Sequence, residues 1–331
     1  MTPRLYPLTF TPQFREYLWG GRSLEQFGRQ LPPGIVAESW EISGHPSSPT
    51  AVDAGAYRGR LLTDLVTELG LDLVGRRSQE ALARGKFPLL VKLLDAQSDL
   101  SVQVHPDDAY ALAHEGGELG KTEMWYVLRA EPGARLIYGL RRGVTPAQVA
   151  DALRRGAVDE IFAYLPVQAG DAIFVPAGTV HALMAGLVVV EIQQNSDTTY
   201  RIFDWGRLGP DSQPRALHID KALAVIDYTQ VEPGVYPPRL IAEAQGVRRE
   251  EISRCRYFTV EKVTMAAGAR YVGTADGETF EVWGCLSGAG MVTGAFDPVA
   301  LPAIRFTLLP AALGRFAVEA TQEAVLLRAY V

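Results

Sequence analysis

Much of the chain consists of short apolar or alternating segments separated by turn residues. Turn residues recur about every 8–12 positions, which is the spacing of an antiparallel sandwich or barrel. Candidate strands in the first two thirds of the chain lie at residues 88–94, 100–105, 123–130, 134–139, 172–175, 187–193 and 199–204. The pattern therefore predicts a mainly β protein.

Helical patterns are fewer and short. Residues 61–69 and 78–84 precede several of the predicted strands, and residues 219–226 form another helical pattern. Segment 145–155 begins with Thr-Pro, which suits the N-cap and the first helical position, and its apolar residues have helical spacing. We therefore expect a few short helices beside the strands.

A proline-rich stretch at residues 231–238 is the best candidate for a domain boundary. Beyond it, strands are predicted at residues 257–265, 279–286, 290–292 and 325–330. The 331 residues are enough for two domains of ordinary size. We therefore predict one domain at residues 1–230 and a second β domain at residues 231–331.

Four polar residues in or beside the predicted strands form a candidate metal site. Gln103 and His105 share one face of the segment 101–105, because side chains alternate along a strand. Glu123 begins a second strand, and His181 follows a tight turn. Two imidazoles, a carboxylate and a carboxamide oxygen suit Zn²⁺, and less exclusively Fe²⁺, Mn²⁺, Co²⁺ or Ni²⁺.

The segment 170–181 resembles the second sequence motif of the cupins, with a turn glycine, a short apolar strand and a Pro-x-Gly turn before its final histidine. The first cupin motif usually reads His-x-His followed soon by Glu. Here Gln103 replaces the first histidine, and an insertion at residues 106–122 delays Glu123. The resemblance implies two jelly-roll (cupin-like) β-barrel domains with a few short helices. Because no histidine follows His218, the second domain is expected to be metal-free.

Four separated segments narrow this resemblance to one family. Residues 37–43, 103–108, 120–128 and 199–207 look like the motifs of type I phosphomannose isomerases, in the short bacterial form of the family. The resemblance implies an aldose–ketose isomerase that interconverts mannose 6-phosphate and fructose 6-phosphate through an enediol. It also implies a zinc cofactor, which we expect at one ion per chain.

The same resemblance assigns roles to residues outside the ligand set. Arg201 matches the position of the active-site arginine of the family, and Glu191, which interrupts an apolar strand, matches an acidic residue. We assign catalytic roles to these two residues and to Lys121, which lies two positions before Glu123. Phosphate recognition needs two or three cationic or hydroxyl donors. The candidates for substrate binding are Ser101, Lys92 and Arg207.

Composition limits the kinds of partner. The net charge of −6 argues against a nucleic-acid surface, so a small sugar phosphate is the expected partner. No apolar run approaches the roughly 20 residues that span a bilayer, and the first residues lack the apolar core of a signal peptide. Two cysteines form no disulfide framework. We expect a cytoplasmic monomer or homodimer without membrane contact.

Two other functions remain open from the residues alone. A different metal-dependent cupin enzyme, such as an Fe²⁺ dioxygenase, would use the same fold, although Gln103 argues against that chemistry. A sugar-binding module without turnover is the second alternative. Loss of Glu123 or Arg201 would have favoured that module, and both residues are present.

Overall fold

Strands dominate the computed structural model, which describes residues 4–209 and 212–331. In chain order the strands are β1 (Leu8–Thr11), β2 (Gln13–Arg15), β3 (Glu38–Ser43), β4 (Ala51–Val52), β5 (Leu89–Ala96), β6 (Val102–Val104), β7 (Glu123–Ala130), β8 (Arg135–Leu140), β9 (Phe162–Pro166), β10 (Ala172–Val175), β11 (His181–Leu183), β12 (Leu187–Gln194), β13 (Tyr200–Phe203), β14 (Arg239–Ala244), β15 (Val247–Arg254), β16 (Thr259–Met265), β17 (Arg270–Ala275), β18 (Glu281–Ser287), β19 (Ala289–Gly294), β20 (Phe296–Pro302), β21 (Arg305–Leu309), β22 (Gly314–Ala320) and β23 (Ala324–Tyr330). The helices are α1 (Leu62–Leu69), α2 (Leu71–Val74), α3 (Gln79–Ala83), α4 (Asp108–His114), α5 (Pro146–Arg155) and α6 (Ile219–Val225), with 3-10 turns at Ser23–Phe27, Arg76–Ser78 and Val158–Glu160. The predicted mainly β class with few helices is confirmed.

The strands of the described residues form two pairs of antiparallel sheets. The first pair has the orders β10-β7-β12-β5-β3-β2 and β13-β6-β11-β8-β9. The second pair has the orders β14-β15-β16-β23-β18-β21-β1-β4 and β17-β22-β19-β20. Within residues 4–209 and 212–331 no sheet closes on itself, so the expected jelly-roll barrels are not confirmed in that finer form.

Three apolar clusters hold these layers together. One contains Trp125 and Val189 of the six-stranded sheet together with Leu136 of the five-stranded sheet. A second joins the eight-stranded and four-stranded sheets of the other pair. The third contains Val190 and Leu327, and therefore joins the outer faces of the two longest sheets. Because alternate residues of β12 face opposite ways, Val189 and Val190 enter different clusters.

The N-terminal strands cross the predicted domain division at residue 231. Leu8 of β1 pairs with Leu308 of β21, and β1 also pairs with β4. Chain segments from both ends therefore share the eight-stranded sheet. The division itself stays a prediction.

Local sequence signals explain the best-defined helix. Thr145 accepts a hydrogen bond from the backbone N–H of Gln148, whose side chain accepts one from the N-cap N–H in return, and Pro146 occupies the first turn. This capping box satisfies N–H groups that have no partner inside the helix. Gly156 ends the helix with a left-handed φ of 70°. The predicted helix at residues 145–155 is confirmed. Over the described residues, no helix combines the length and apolar character that a membrane span requires.

The two long sheets place similar sequences at corresponding positions. Glu123-Met-Trp125 begins β7 and Glu281-Val-Trp283 begins β18. Trp125 is opposite Glu191, and Trp283 is opposite Arg328. In the first pair of sheets Glu191 is opposite Lys92, and at the corresponding position in the second pair Arg328 is opposite Glu261. The acidic and basic residues are therefore exchanged between the two pairs.

Arg328 neutralises Glu281 in the second pair of sheets and also contacts Glu261, which is itself bound by Arg249. Its Nη2 and Nε lie 2.6 and 2.8 Å from the oxygens of Glu281, and its Nη1 lies 3.3 Å from Glu261. The side chains of Glu281 and Glu261 are 5% and 0% exposed, so neither carboxylate can be solvated in place of this contact. Arg328 therefore occupies the position that corresponds to Glu191, which faces the candidate site in the first pair of sheets.

We expect Arg328→Met to destabilise the protein by about 3–5 kcal/mol, because it leaves Glu281 buried without its cation. The free energy of unfolding in urea measures the effect. Arg270→Met is the matched control, since the Arg270–Glu319 pair lies at the surface and should contribute less than about 1 kcal/mol. Equal, small changes in both variants would contradict this role for Arg328.

Candidate active site

Three of the four predicted metal ligands come together from different strands. His105 follows β6, Glu123 begins β7 and His181 begins β11. One ligand atom from each lies within 4.8 Å of the others, and all three side chains are buried. Adjacent strands explain the convergence, because His181 pairs with Gln103, which is two residues from His105.

Both histidines present the same ring nitrogen to the cluster. Nδ1 of His105 lies 2.8 Å from the carbonyl oxygen of Thr198, and Nδ1 of His181 lies 2.8 Å from that of Thr179. A carbonyl oxygen only accepts, so each Nδ1 carries a proton and each Nε2 keeps its lone pair. Those Nε2 atoms lie 3.7 and 3.2 Å from the oxygens of Glu123. Backbone carbonyls of this kind orient metal-binding imidazoles.

The charges in the cluster also fit a cation. Burial, followed by the positive charge of Lys121, holds the pKa of His105 well below its ordinary value, so this imidazole is neutral. Burial alone would raise the pKa of Glu123, but the positive charge of Lys121 outweighs it and the pKa falls well below its usual range. The site therefore offers a neutral imidazole at His105 and an ionised carboxylate at Glu123.

The carboxylate of Glu123 lacks well-oriented hydrogen bonds. Both of its oxygens are fully buried without a hydrogen-bond partner in the described part of the chain, although Nζ of Lys121 lies 2.7 Å from one of them. A buried carboxylate in this state is costly unless a cation completes its coordination. The residues present therefore fit a divalent metal ion.

Gln103, the fourth predicted ligand, lies at the edge of this cluster. Its Nε2 is 3.3 Å from Nε2 of His181, so the carboxamide already contacts the ligand group. A half-turn of the carboxamide would bring the oxygen to the same place, because the two groups have nearly the same shape. Its role as a ligand stays a prediction.

A cavity of about 200 Å³ opens beside Gln103 and contains most of the other predicted site residues. Its lining residues are Tyr17, Trp19, Glu38, Lys92, Leu100, Ser101, Gln103, Lys121, Glu191, Asp197, Thr199, Arg201 and Arg215. Five predicted catalytic or substrate-binding residues are among them: Lys92, Ser101, Lys121, Glu191 and Arg201. Arg207, the sixth, does not line this cavity.

Lys92 is held between two carboxylates at the cavity wall. Its Nζ lies 3.4 Å from Glu191, 3.8 Å from Glu38 and 4.6 Å from the ring centroid of Trp40. Burial alone would lower the pKa of Lys92, but these carboxylates outweigh it and raise the pKa. Lys92 is therefore a permanent cation that holds Glu191 in place.

The two oxygens of Glu191 have different partners: Oε1 forms an ion pair with Lys92 at 3.4 Å, and Oε2 accepts a hydrogen bond. Nε1 of Trp125 donates to its Oε2 at 2.9 Å. Its Oε1 is buried and accepts no hydrogen bond from the described residues. The indole and Lys92 together fix the orientation of this carboxylate.

Two arginines, Arg201 and Arg215, also line the cavity. Arg201 donates to the carbonyl oxygen of Ala216 at 3.1 Å, and its Nε is buried with no hydrogen-bond partner among residues 4–209 and 212–331. Burial, followed by the charge of Arg215, holds the pKa of Arg201 below its ordinary value. Arg207 instead binds the side chain of Asp204 at 2.6 Å.

Several cavity residues were not identified from the sequence. Glu38 lies in one of the family-like segments, and its position two residues before Trp40 on a strand was the available signal. Arg215 and Asp197 lie outside the strands and helices, where periodicity gives no information. Only the folded chain brings them to the cavity.

Comparisons with known proteins agree with this geometry. A family model described as "Phosphomannose isomerase type I, catalytic domain" matches residues 8–124. The chain is 36% identical to the mannose-6-phosphate isomerase ManA of Bacillus subtilis (strain 168), over 96% of this chain and 98% of the relative. It is 37% identical to the mannose-6-phosphate isomerase of Streptococcus mutans, over 92% of each chain.

Solved structures give the same result. The crystal structure of the mannose 6-phosphate isomerase from Bacillus subtilis matches with a TM-score of 0.88 and 32% identity, covering 98% of this chain and 99% of that one. Agreement over nearly the whole of both chains includes both pairs of sheets. The chain therefore belongs to the type I phosphomannose isomerases, a family of aldose–ketose isomerases.

Proposed function

We propose that the protein interconverts mannose 6-phosphate and fructose 6-phosphate with one Zn²⁺ per chain. The observation that carries this proposal is the buried cluster of His105, Glu123 and His181 beside a cavity that is lined by the carboxylate of Glu191 and by Arg201. The relatives at 36–37% identity, which are named mannose-6-phosphate isomerases, support the choice of substrate.

The metal would be held by Nε2 of His105, Nε2 of His181 and the carboxylate of Glu123, with the carboxamide oxygen of Gln103 as fourth ligand. This mixture of nitrogen and oxygen donors suits zinc. When bound, the ion supplies Lewis-acid stabilisation of negative charge on the sugar oxygens.

The isomerisation moves a proton between C1 and C2 of the open-chain sugar, and Glu191 is our candidate for the base. Its Oε1 has no hydrogen-bond partner among the described residues, whereas Oε2 is held by Trp125. Nζ of Lys92, 3.4 Å from Oε1, helps to orient the carboxylate. A carboxylate held in this way can accept the carbon-bound proton and return it to the neighbouring carbon.

Arg201 is our candidate for stabilising the charge that develops on O1 and O2. It is opposite Gln103 in the pairing of β13 with β6, so its side chain lies on the metal side of the cavity. Its charge is permanent, and its planar donors can bind an oxyanion. Lys121, 2.7 Å from Glu123, adds a second positive charge near the same oxygens.

The phosphate would bind where the cavity lining offers a hydroxyl group and a guanidinium group. Among the predicted binding residues, Ser101 lines the cavity, whereas the charge of Lys92 is already balanced by Glu38 and Glu191. Arg207 does not line the cavity, whereas Arg215 does and can supply the guanidinium group instead. We therefore propose that Ser101 and Arg215 donate hydrogen bonds to the phosphate group of the substrate.

Metal removal tests this function directly. The purified protein should convert mannose 6-phosphate to fructose 6-phosphate, and dialysis against a chelator should lower kcat by about 100-fold or more, as expected for loss of a Lewis acid. One equivalent of Zn²⁺ should restore activity, whereas Mg²⁺ should not, because it prefers six oxygen ligands. Sugar-phosphate binding without turnover in the zinc-loaded protein would favour the sugar-binding module.

We further propose that the enzyme acts in the cytoplasm as a monomer or homodimer. Cys255 and Cys285 are both free, which agrees with a reducing compartment.

A further inference from the structure

A second cavity of about 340 Å³ adjoins the substrate cavity. The two cavities share Tyr17, Trp19 and Arg215 as lining residues. The second cavity, which we call the annex, is also lined by Glu16, Leu18, Ile35, Arg207 and Gly209. Because the walls are shared, a molecule in the annex lies next to the substrate.

The walls of the annex are aromatic and aliphatic. The rings of Tyr17 and Trp19 stack with centroids 5.7 Å apart and planes inclined by 21°. Leu18 and Ile35 are 60% and 46% exposed. Single exposed apolar side chains are ordinary, but several around one concave site are typical of a ligand pocket. A flat apolar group fits such walls best.

The annex also meets a positive charge where it joins the substrate cavity. Arg215 binds Asp204 through Nη2 at 2.5 Å and Nε at 2.7 Å, and Arg207 binds the same carboxylate at 2.6 Å. Three guanidinium groups, those of Arg201, Arg207 and Arg215, lie near this junction, against the carboxylates of Asp204 and of Glu16 in the annex lining. An anion at the junction would therefore be attracted by Arg215.

We propose that the annex binds a planar aromatic anion, with its ring between the apolar walls and its anionic group at Arg215. Such a ligand would compete with the sugar phosphate, because both anionic groups need the same arginine. The competition rests on the proposed isomerase function, whereas binding of the aromatic anion does not.

Calorimetric titration with 1-naphthyl phosphate and inorganic phosphate tests the proposal. Both probes carry the phosphate, but only the first carries a ring for the annex. Burial of the ring should lower Kd by at least about tenfold relative to inorganic phosphate. In the isomerase assay, 1-naphthyl phosphate should raise KM for mannose 6-phosphate and leave kcat unchanged. Equal affinities for the two probes would refute the annex as a binding site.

A double variant locates the ring. Leu18 and Ile35 line the annex but not the substrate cavity, and both side chains are exposed enough to be replaced without unfolding the chain. Leu18→Ser with Ile35→Ser should raise Kd for 1-naphthyl phosphate at least about fivefold through lost apolar contact. Inorganic phosphate binding and kcat/KM should not change.

Val272→Ser is the matched control, because Val272 is also exposed (53%) but lines neither cavity. It should leave all of these constants unchanged. If the double variant binds 1-naphthyl phosphate as tightly as the unmodified protein, the ring lies elsewhere and the proposal is wrong. If the protein binds the probe but shows no isomerase activity, the proposed function fails and the annex stands.

Discussion

Replacing His181 by alanine should abolish both metal retention and isomerase activity. The variant removes one of the nitrogens that meet within 4.8 Å, and the two remaining ligands, His105 and Glu123, cannot complete a closed site with Gln103 alone. Elemental analysis after dialysis should find less than about one tenth of the metal of the unmodified protein. Loss of a residue that only hydrogen-bonds to a ligand already lowers metal affinity by about 10- to 100-fold, and loss of a ligand itself should lower it by far more.

The variant should nevertheless remain folded. His181 lies between the rings of His105 and Trp125, but the apolar clusters that join the sheets do not include it. Circular dichroism should therefore show the strand content of the unmodified protein.

A matched control separates ligand loss from the general effect of removing a histidine. His114 is exposed at the end of α4, and His114→Ala should keep both metal and activity. Full isomerase activity of His181→Ala after dialysis against a chelator would show that His181 is not a ligand.

The second large effect is expected for Arg201→Ala. This variant should bind the metal normally but lose kcat by a factor on the order of 10² or more, which is the usual cost of removing a charge that stabilises the transition state. The metal ligands themselves are not altered, so the metal content should stay at one ion per chain. Steady-state kinetics with mannose 6-phosphate measure the loss.

The conservative variant and a surface control sharpen this test. Arg201→Lys should also be poor, because an ammonium group does not reproduce the planar donors of a guanidinium. Arg142, whose side chain is 81% exposed, is the control, and Arg142→Ala should retain normal kinetics. A raised KM with near-normal kcat in Arg201→Ala would assign Arg201 to phosphate binding and leave catalysis to Glu191 or a lysine.

Strands rich in apolar residues were predicted almost to the residue. Residues 123–130 and 172–175 are strands with the predicted bounds. Both faces of these strands pack against apolar clusters, so each strand is a short apolar run in the sequence. β14 was missed because its six residues are all exposed and do not form such a run. α4 lies in the polar insertion, where a short helix has little apolar face.

The candidate site was predicted in part for the same reason. His105, Glu123 and His181 lie at strand ends within recognisable motifs, and the order of residues in these motifs was enough to group them. Arg207 was predicted to bind substrate from its place in a motif, but its side chain turns to Asp204 and the carbonyl of Asp99. Sequence spacing alone does not show which way a loop side chain points.

What the sequence by itself determined is therefore the mainly β class, about half of the strands, the capped helix and the family, because these depend on local pattern. Only the tertiary structure decided that Lys92 lies between Glu38 and Glu191, and that Arg215 joins two cavities. The tertiary structure also decided that Arg328 neutralises Glu281 in the second pair of sheets. These contacts join residues far apart in the chain, and their energies depend on burial and distance that no local pattern contains.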